Sequence, residues 1–158
     1  MRIKLLAIGK TDSGELQKLI DVYLKRLKHY VKFELAVLPD IKNTKNLSVS
    51  DQMDKEAELI LKHLDSTDTF FLLDENGKEY TSEGFANQLQ KQMNSGIKEW
   101  VLVIGGPYGF SDSIKQKANG QLSLSKMTFS HQMVRLFIVE QIYRAFTILR
   151  NEPYHHKL

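Results

Sequence analysis

The residues able to do chemistry gather in the last third of this sequence. His131 and Arg135 stand i and i+4 apart, the spacing that puts two side chains on one face of a helix. Arg144 follows in the same segment, and Tyr154 and His155 lie in a polar tail. A histidine titrating near neutrality can take a proton, and an arginine can hold a phosphate or a developing negative charge. The plain alternatives are a histidine at a helix start, salt-bridged arginines and a frayed end. Upstream, Gly105 and Gly106 follow an apolar run. Glycines there let a ligand approach the backbone, because no Cβ intervenes, although a tight turn alone would also explain them. The loop 123–130, SLSKMTFS, interleaves polar residues with Leu124, Met127 and Phe129. It reads either as a connection anchored by three apolar side chains or as a wall for a flat heterocycle, with backbone groups reading its edge.

Other chemistries lack their motifs. The glycines are not spaced G-x-G-x-x-G and follow a late strand, which disfavours a dinucleotide site; no G-x-x-x-x-G-K-[ST] loop and no G-x-S-x-G elbow occurs. With no cysteine there is no disulfide and no thiolate metal site. His29 and His63 fall at exposed helical positions. His155 and His156 are adjacent, without i, i+4 spacing or a carboxylate cluster, so no metal is expected.

Periodicity supplies the elements that must position these residues. Residues 131–149 predict a helix that is apolar almost all round. Val134, Ile138, Ile142 and Ala145 line one side, Met133, Phe137 and Ile148 another, and Val139, Tyr143 and Phe146 a third. A surface helix needs one apolar stripe, so this one is buried between layers or pressed against a second subunit. Strands are expected at 2–8, 32–38, 69–73 and 100–104, with a strand-like piece at 122. The run TFFLL at 69–73 should be buried on both faces, and WVLVI at 100–104 should be central. Helices are expected over 15–30, through Met53, Ala57, Ile60 and Leu64, and from an N-cap at Thr81 through Phe85, Leu89 and Met93. Residues 40–49 read as a polar connection and 74–77 as a turn. Alternating strands and helices indicate an α/β fold with a mostly parallel sheet. In such sheets ligands bind at the carboxyl ends of the strands, here Leu73 and Asp74, Gly105 and Gly106, and 124–129.

The 158 residues, 42% hydrophobic and 26% charged, fit one domain with a substantial core, residues 1–158. No window approaches a membrane span, and the opening MRIKLLAIGK reads as a strand rather than a signal peptide. The net charge of +3 is mildly basic and permits an RNA partner. The absence of cysteine suits the cytoplasm.

Taken together, V-I-G-G-P-x-G, L-S-x-S-K-M-T-F-x-H-Q-M-x-R, E-Q-x-Y-R-A and a closing P-Y-H resemble one family, the bacterial ribosomal large subunit methyltransferase H group of the SPOUT superfamily. The resemblance runs the full length of the chain. It implies a SPOUT-type α/β fold with a C-terminal trefoil knot, a homodimer, and S-adenosylmethionine as cofactor. The implied reaction is methylation of N3 of a pseudouridine in the helix 69 stem-loop of 23S rRNA. Carried over by position, the cofactor pocket is Leu73, Gly105, Leu124, Ser125, Lys126, Met127, Thr128 and Phe129. His131 or His155 is then the base, Arg135 and Arg144 hold phosphate or the imide, and Tyr154 stacks on the base. Ser130 departs from the proline common in the family, and the tail runs on past His155. A non-catalytic RNA-binding module would leave the Gly-Gly turn and loop 124–129 without purpose. A nicotinamide-linked oxidoreductase would lack its glycine fingerprint.

Overall fold

The computed structural model describes residues 1–157. Five strands form one parallel sheet in the order β2-β1-β4-β3-β5: β1 Arg2–Ile8, β2 Lys32–Leu38, β3 Thr69–Glu79, β4 Glu99–Ile104 and β5 Gly120–Ser123. The expected α/β architecture with a mostly parallel sheet is what forms. β4 is central and buried along its whole length. Its inner polar end, Glu99, is paired with Arg2 and Lys4 at 3.4 and 3.2 Å.

Alternate residues of β4 feed two cores. Trp100, Leu102 and Ile104 face α1 (Gly14–Leu27), α3 (Ser82–Asn94) and α5 (Met133–Leu149). Val101 and Val103 face the layer containing α2 (Val49–Lys62) and α4 (Asp112–Lys117). Period-2 strands between period-3.6 helices produce this three-layer stack. The helix starts are set by side-chain caps: Ser13, Ser48 and Thr81 accept from the backbone N–H groups of Leu16, Asp51 and Gly84.

Three expectations need correction. The cap at Ser48 starts α2 inside the segment read as a connection. Residues 74–77 are not a terminal turn: β3 bulges there and resumes, so that both Leu73 and Lys78 pair with Leu122 of β5. The run at 69–73 alternates between buried and half-buried rather than being covered throughout. The all-round apolar helix is explained in part by layering. Ile138, Val139, Ile142, Ala145 and Phe146 are buried, whereas Met133 and Phe137 stay 39% and 37% exposed.

Candidate active site

A cavity of about 570 Å³ opens at the carboxyl end of β4, beside the β3 bulge and just beyond β5. Seven of the eight residues expected at a cofactor line it: Leu73, Gly105, Leu124, Ser125, Met127, Thr128 and Phe129. Lys126 does not; its side chain is 87% exposed and its Nζ lies 3.9 Å from Glu79. His131 completes the rim. The sheet register causes this gathering: Leu73 is level with Ile104 of β4 and Leu122 of β5, so the β3 bulge and the loops after β4 and β5 converge.

Local contacts fix the walls. Gly77 lies so close to β5 that a Cβ there would stand 2.7 Å from the Gln121 carbonyl carbon. The Ser123 hydroxyl donates to the Ser125 carbonyl at 2.8 Å, and the Met127 N–H donates to the Ser125 hydroxyl at 3.0 Å. Thr128 donates to the Glu75 carboxylate, which ties the loop to the β3 bulge. Across the cavity, the Gly109 N–H closes a turn onto the Gly106 carbonyl at 3.2 Å, and Gly109 has φ +79°, a region glycine enters without strain. Lys115 pairs with Asp74 at 3.7 Å. Motif reading passed over Glu75 and Lys115 as wall residues. It also passed over Glu56, although Met53, Glu56 and Ile60 follow i, i+3, i+7 along the face α2 buries.

The pairing of His131 with Arg135 on one helix face does not survive. The Met133 N–H donates to the Ser130 hydroxyl at 3.1 Å across the turn that holds His131, and α5 starts two residues after His131, with Gln132 at its N-cap position. His131 sits in the preceding turn, half-buried. Arg135 is 0% exposed and donates to the Ile8 carbonyl at 2.9 Å and the Thr11 hydroxyl at 3.2 Å. Burial lowers its pKa, opposed by Asp12 and Asp40. Arg135 therefore anchors α5 to the end of β1 and does not line the cavity. Gln132 makes a second tie, donating to the Lys10 carbonyl and accepting from the Asp12 N–H.

The tail is ordered, not frayed. Asn151 turns the chain at φ +55°, and Tyr30 donates to the Glu152 carboxylate at 2.5 Å. Tyr154 donates to Glu140 at 2.8 Å and lies 3.3 Å from the Tyr23 hydroxyl. Burial and these hydrogen bonds raise its pKa. Arg144 pairs with Glu140 at 2.7 Å, stacks over the Tyr154 ring at 4.8 Å, and meets His155 Nδ1 at 3.1 Å. Arginine only donates, so His155 Nδ1 accepts and the neutral ring carries its proton on Nε2, 3.9 Å from Glu83. This cluster lies apart from the cavity: Arg144 is about 16 Å along α5 from Met133, and none of Arg144, Tyr154 and His155 lines the cavity.

Among the described residues, no group of acidic, histidine or cysteine side chains could hold a metal, and no helix is long and apolar enough to cross a membrane.

A parallel α/β sheet with a glycine turn and a hydrogen-bonded loop around a cavity beside its strand ends is the framework of a small-molecule site in an open α/β sheet. A family model described as "Predicted SPOUT methyltransferase" matches residues 1–155. A Flavobacterium johnsoniae protein called ribosomal RNA large subunit methyltransferase H is 66% identical over 99% of this chain and 100% of its own length. Its namesake from Parabacteroides distasonis is 57% identical with the same coverage. A Legionella pneumophila structure described as a methyltransferase with SAM bound resembles 92% of this chain and 66% of its own, at 13% identity and a TM-score of 0.47. The chain belongs to the SPOUT methyltransferases and, among them, to the ribosomal RNA large subunit methyltransferase H family. The family read from the motifs is borne out.

Proposed function

We propose that this enzyme transfers the methyl group of S-adenosylmethionine to N3 of a pseudouridine in the helix 69 stem-loop of 23S rRNA, on the assembled ribosome in the cytoplasm. The observation that carries the reading is the convergence of Leu73, Gly105 and the loop 124–129 on one cavity rimmed by His131. Its size falls in the range of roughly 300–1,000 Å³ that small-molecule sites occupy. Leu73, Ile104, Leu122 and Leu124 offer apolar surface to a purine face, and Gly105 with the loop offers bare backbone to its edges.

When bound, the cofactor supplies an electrophilic methyl group on a sulfonium. The chain's task is to align the acceptor and remove the N3 proton. His131, in the rim, takes that proton directly or through water. His155 is the weaker candidate, because Arg144 already occupies its Nδ1 lone pair. Arg144 and Tyr154 receive the RNA, one by charge and the other by stacking on the base.

The separation of the two clusters within one chain favours a homodimer, in which the tail of a second copy reaches the cavity of the first. Leu19 and Val22 on α1, with Met133 and Phe137 on α5, are the exposed apolar side chains available for that contact. A trefoil knot, formed as the chain from β5 into α5 threads through earlier loops, is part of the same reading. The modest charge favours recognition shared with the ribosome rather than supplied by basic residues alone.

The test is methyl incorporation from labelled adenosylmethionine into ribosomes lacking the modification, with the acceptor nucleotide mapped. Label at N3 of a helix 69 pseudouridine is expected, with free rRNA a poor substrate. Label elsewhere overturns the substrate, and free rRNA serving equally well overturns the ribosomal requirement.

A further inference from the structure

Behind the glycine turn lies a buried acid that the reaction above does not use. Glu56, on α2, is 4% exposed, and its Oε1 has no hydrogen-bond partner. A buried carboxylate oxygen left unpaired is costly, and native structures retain few of them. Its carboxyl is pressed against the turn. A Cβ on Gly106 would stand 2.0 Å from Oε2, 2.6 Å from Cδ and 2.7 Å from Oε1. Gly106 and Met53 line both the cavity and the small space around Glu56, so a single layer of chain separates the acid from the cavity.

Its neighbours do not neutralise it. The charged group that faces it is Asp40, after β2, another acid. From its own helix comes Gln52, whose side chain favours the ionised form in part but carries no charge. The turn and α4 bring Phe110, Ser111 and Ile114 to the same space. Arg135 of α5 is coupled to Asp40 and Asp12. An acid without a cation, beside a cavity read as holding a cationic ligand, lacks the partner that would make its burial favourable.

We propose that Glu56 is a positioning residue of the cofactor site: through Gly106 its carboxyl braces the turn, and it is the buried negative group toward which the cofactor's positive charge is drawn. This rests on the cavity being the adenosylmethionine site.

A titration signature follows. Burial, and then Asp40, raise the Glu56 pKa in the free protein. A cation bound nearby favours the ionised form and lowers that pKa. The complex therefore holds fewer protons than the free enzyme, and binding tightens with rising pH. The window runs from the ordinary carboxylate range up to the raised value. One linked proton limits the gain to about tenfold per pH unit.

Calorimetric titration of adenosylmethionine into the whole protein tests this. Runs in two buffers of different ionisation enthalpy count the protons released, in wild type and without any variant. Release of part of a proton is expected, with affinity rising several-fold as pH rises above the ordinary carboxylate range. Glu56→Gln, which keeps the shape, should bind with no Glu56 proton released and a flatter pH profile. Asp40→Asn, which removes the repulsion, should move the rise to lower pH. Cofactor binding by wild type with no proton release, or with a pH slope that Glu56→Gln leaves unchanged, overturns the role of Glu56 and leaves the cavity assignment standing. No adenosylmethionine binding by wild type overturns both.

Discussion

Gly77→Ala separates the fit of the cavity wall from general stability. Gly77 ends the β3 bulge and packs flat on β5. An added Cβ would meet the Gln121 carbonyl carbon at 2.7 Å and the Gln121 oxygen and Leu122 nitrogen at 2.8 Å. These are backbone atoms, so no rotamer change relieves the clash. Ordinary carbon–carbon contact is about 3.5 Å or more, so β5 must retreat by roughly 0.8 Å. Such overpacking costs about 1–3 kcal/mol. For a chain of this length that lowers Tm by about 2–12 °C. β5 is a four-residue edge strand from which the loop 124–129 hangs, so its retreat moves the cavity wall. A misplacement approaching 1 Å is enough to weaken a fitted site, and cofactor affinity should fall at least about tenfold. Gly96→Ala is the control. Gly96 has φ +82° with open space around it, so alanine there adds left-handed strain of about 1–2 kcal/mol. It precedes β4, at the end of the sheet away from the cavity. Thermal unfolding should show a loss in both variants, and calorimetric titration with adenosylmethionine a weaker Kd in Gly77→Ala alone. Unchanged stability in Gly77→Ala, or equal loss of affinity in both, would refute the reasoning.

Three further outcomes are expected. If a second copy's tail completes the site, dimers mixing a Tyr154→Ala/His155→Ala chain with a Gly105→Trp chain should regain methyl transfer that neither homodimer shows; mixed dimers as inactive as their parents would count against the trans arrangement. Arg144→Ala should lower the salt slope of RNA binding by about one, whereas Arg135→Met should leave the slope alone and lower stability by about 1–3 kcal/mol, because it strips donors from the Ile8 carbonyl and Thr11. Urea unfolding across alkaline pH should expose Tyr30. The Glu152 hydrogen bond raises its pKa to about 12, so the native state keeps a proton that the unfolded chain loses near pH 10, and stability should fall from about pH 10 to 12. Tyr30→Phe should flatten that fall, and an unchanged fall would show the bond contributes nothing.

Much of the scaffold was legible in the sequence because its signals are local. The apolar run of β4, the stripe of α1 and the Thr81 cap all depend on residues within a few positions of one another. The start of α2 was also written locally, in Ser48 and Asp51, but lysines and asparagines masked it. Residues 74–77 have turn composition, and nothing near them reveals that the strand resumes against Leu122. Arg135 marks the limit most clearly. Helical spacing pointed it toward His131, while its partners, Ile8 and Thr11, lie more than 120 positions away. The tail read as frayed for the same reason: its order depends on Tyr23, Tyr30 and Glu140, which no local pattern links to it. The cavity residues were found through the family's motif, and the strand ends had marked the same places on physical grounds.

The two loads on α5 explain why one helix is both apolar and polar. Its start is fastened to the end of β1 by Arg135 and to the loop after β1 by Gln132. Its last turns carry Glu140 and Arg144, which hold the tail. On its inner face Ile138, Ile142 and Ala145 fill the core, and this packing holds the two clusters at a fixed spacing along the helix. What remains is the exposed strip at Met133 and Phe137, and Phe137 lies 5.0 Å from Phe129, a wall of the cavity. A second copy settling on that strip would press on Phe129 and the loop behind it. On the dimer reading, assembly and the shaping of the cavity are then one event, because a single aromatic pair belongs to both surfaces.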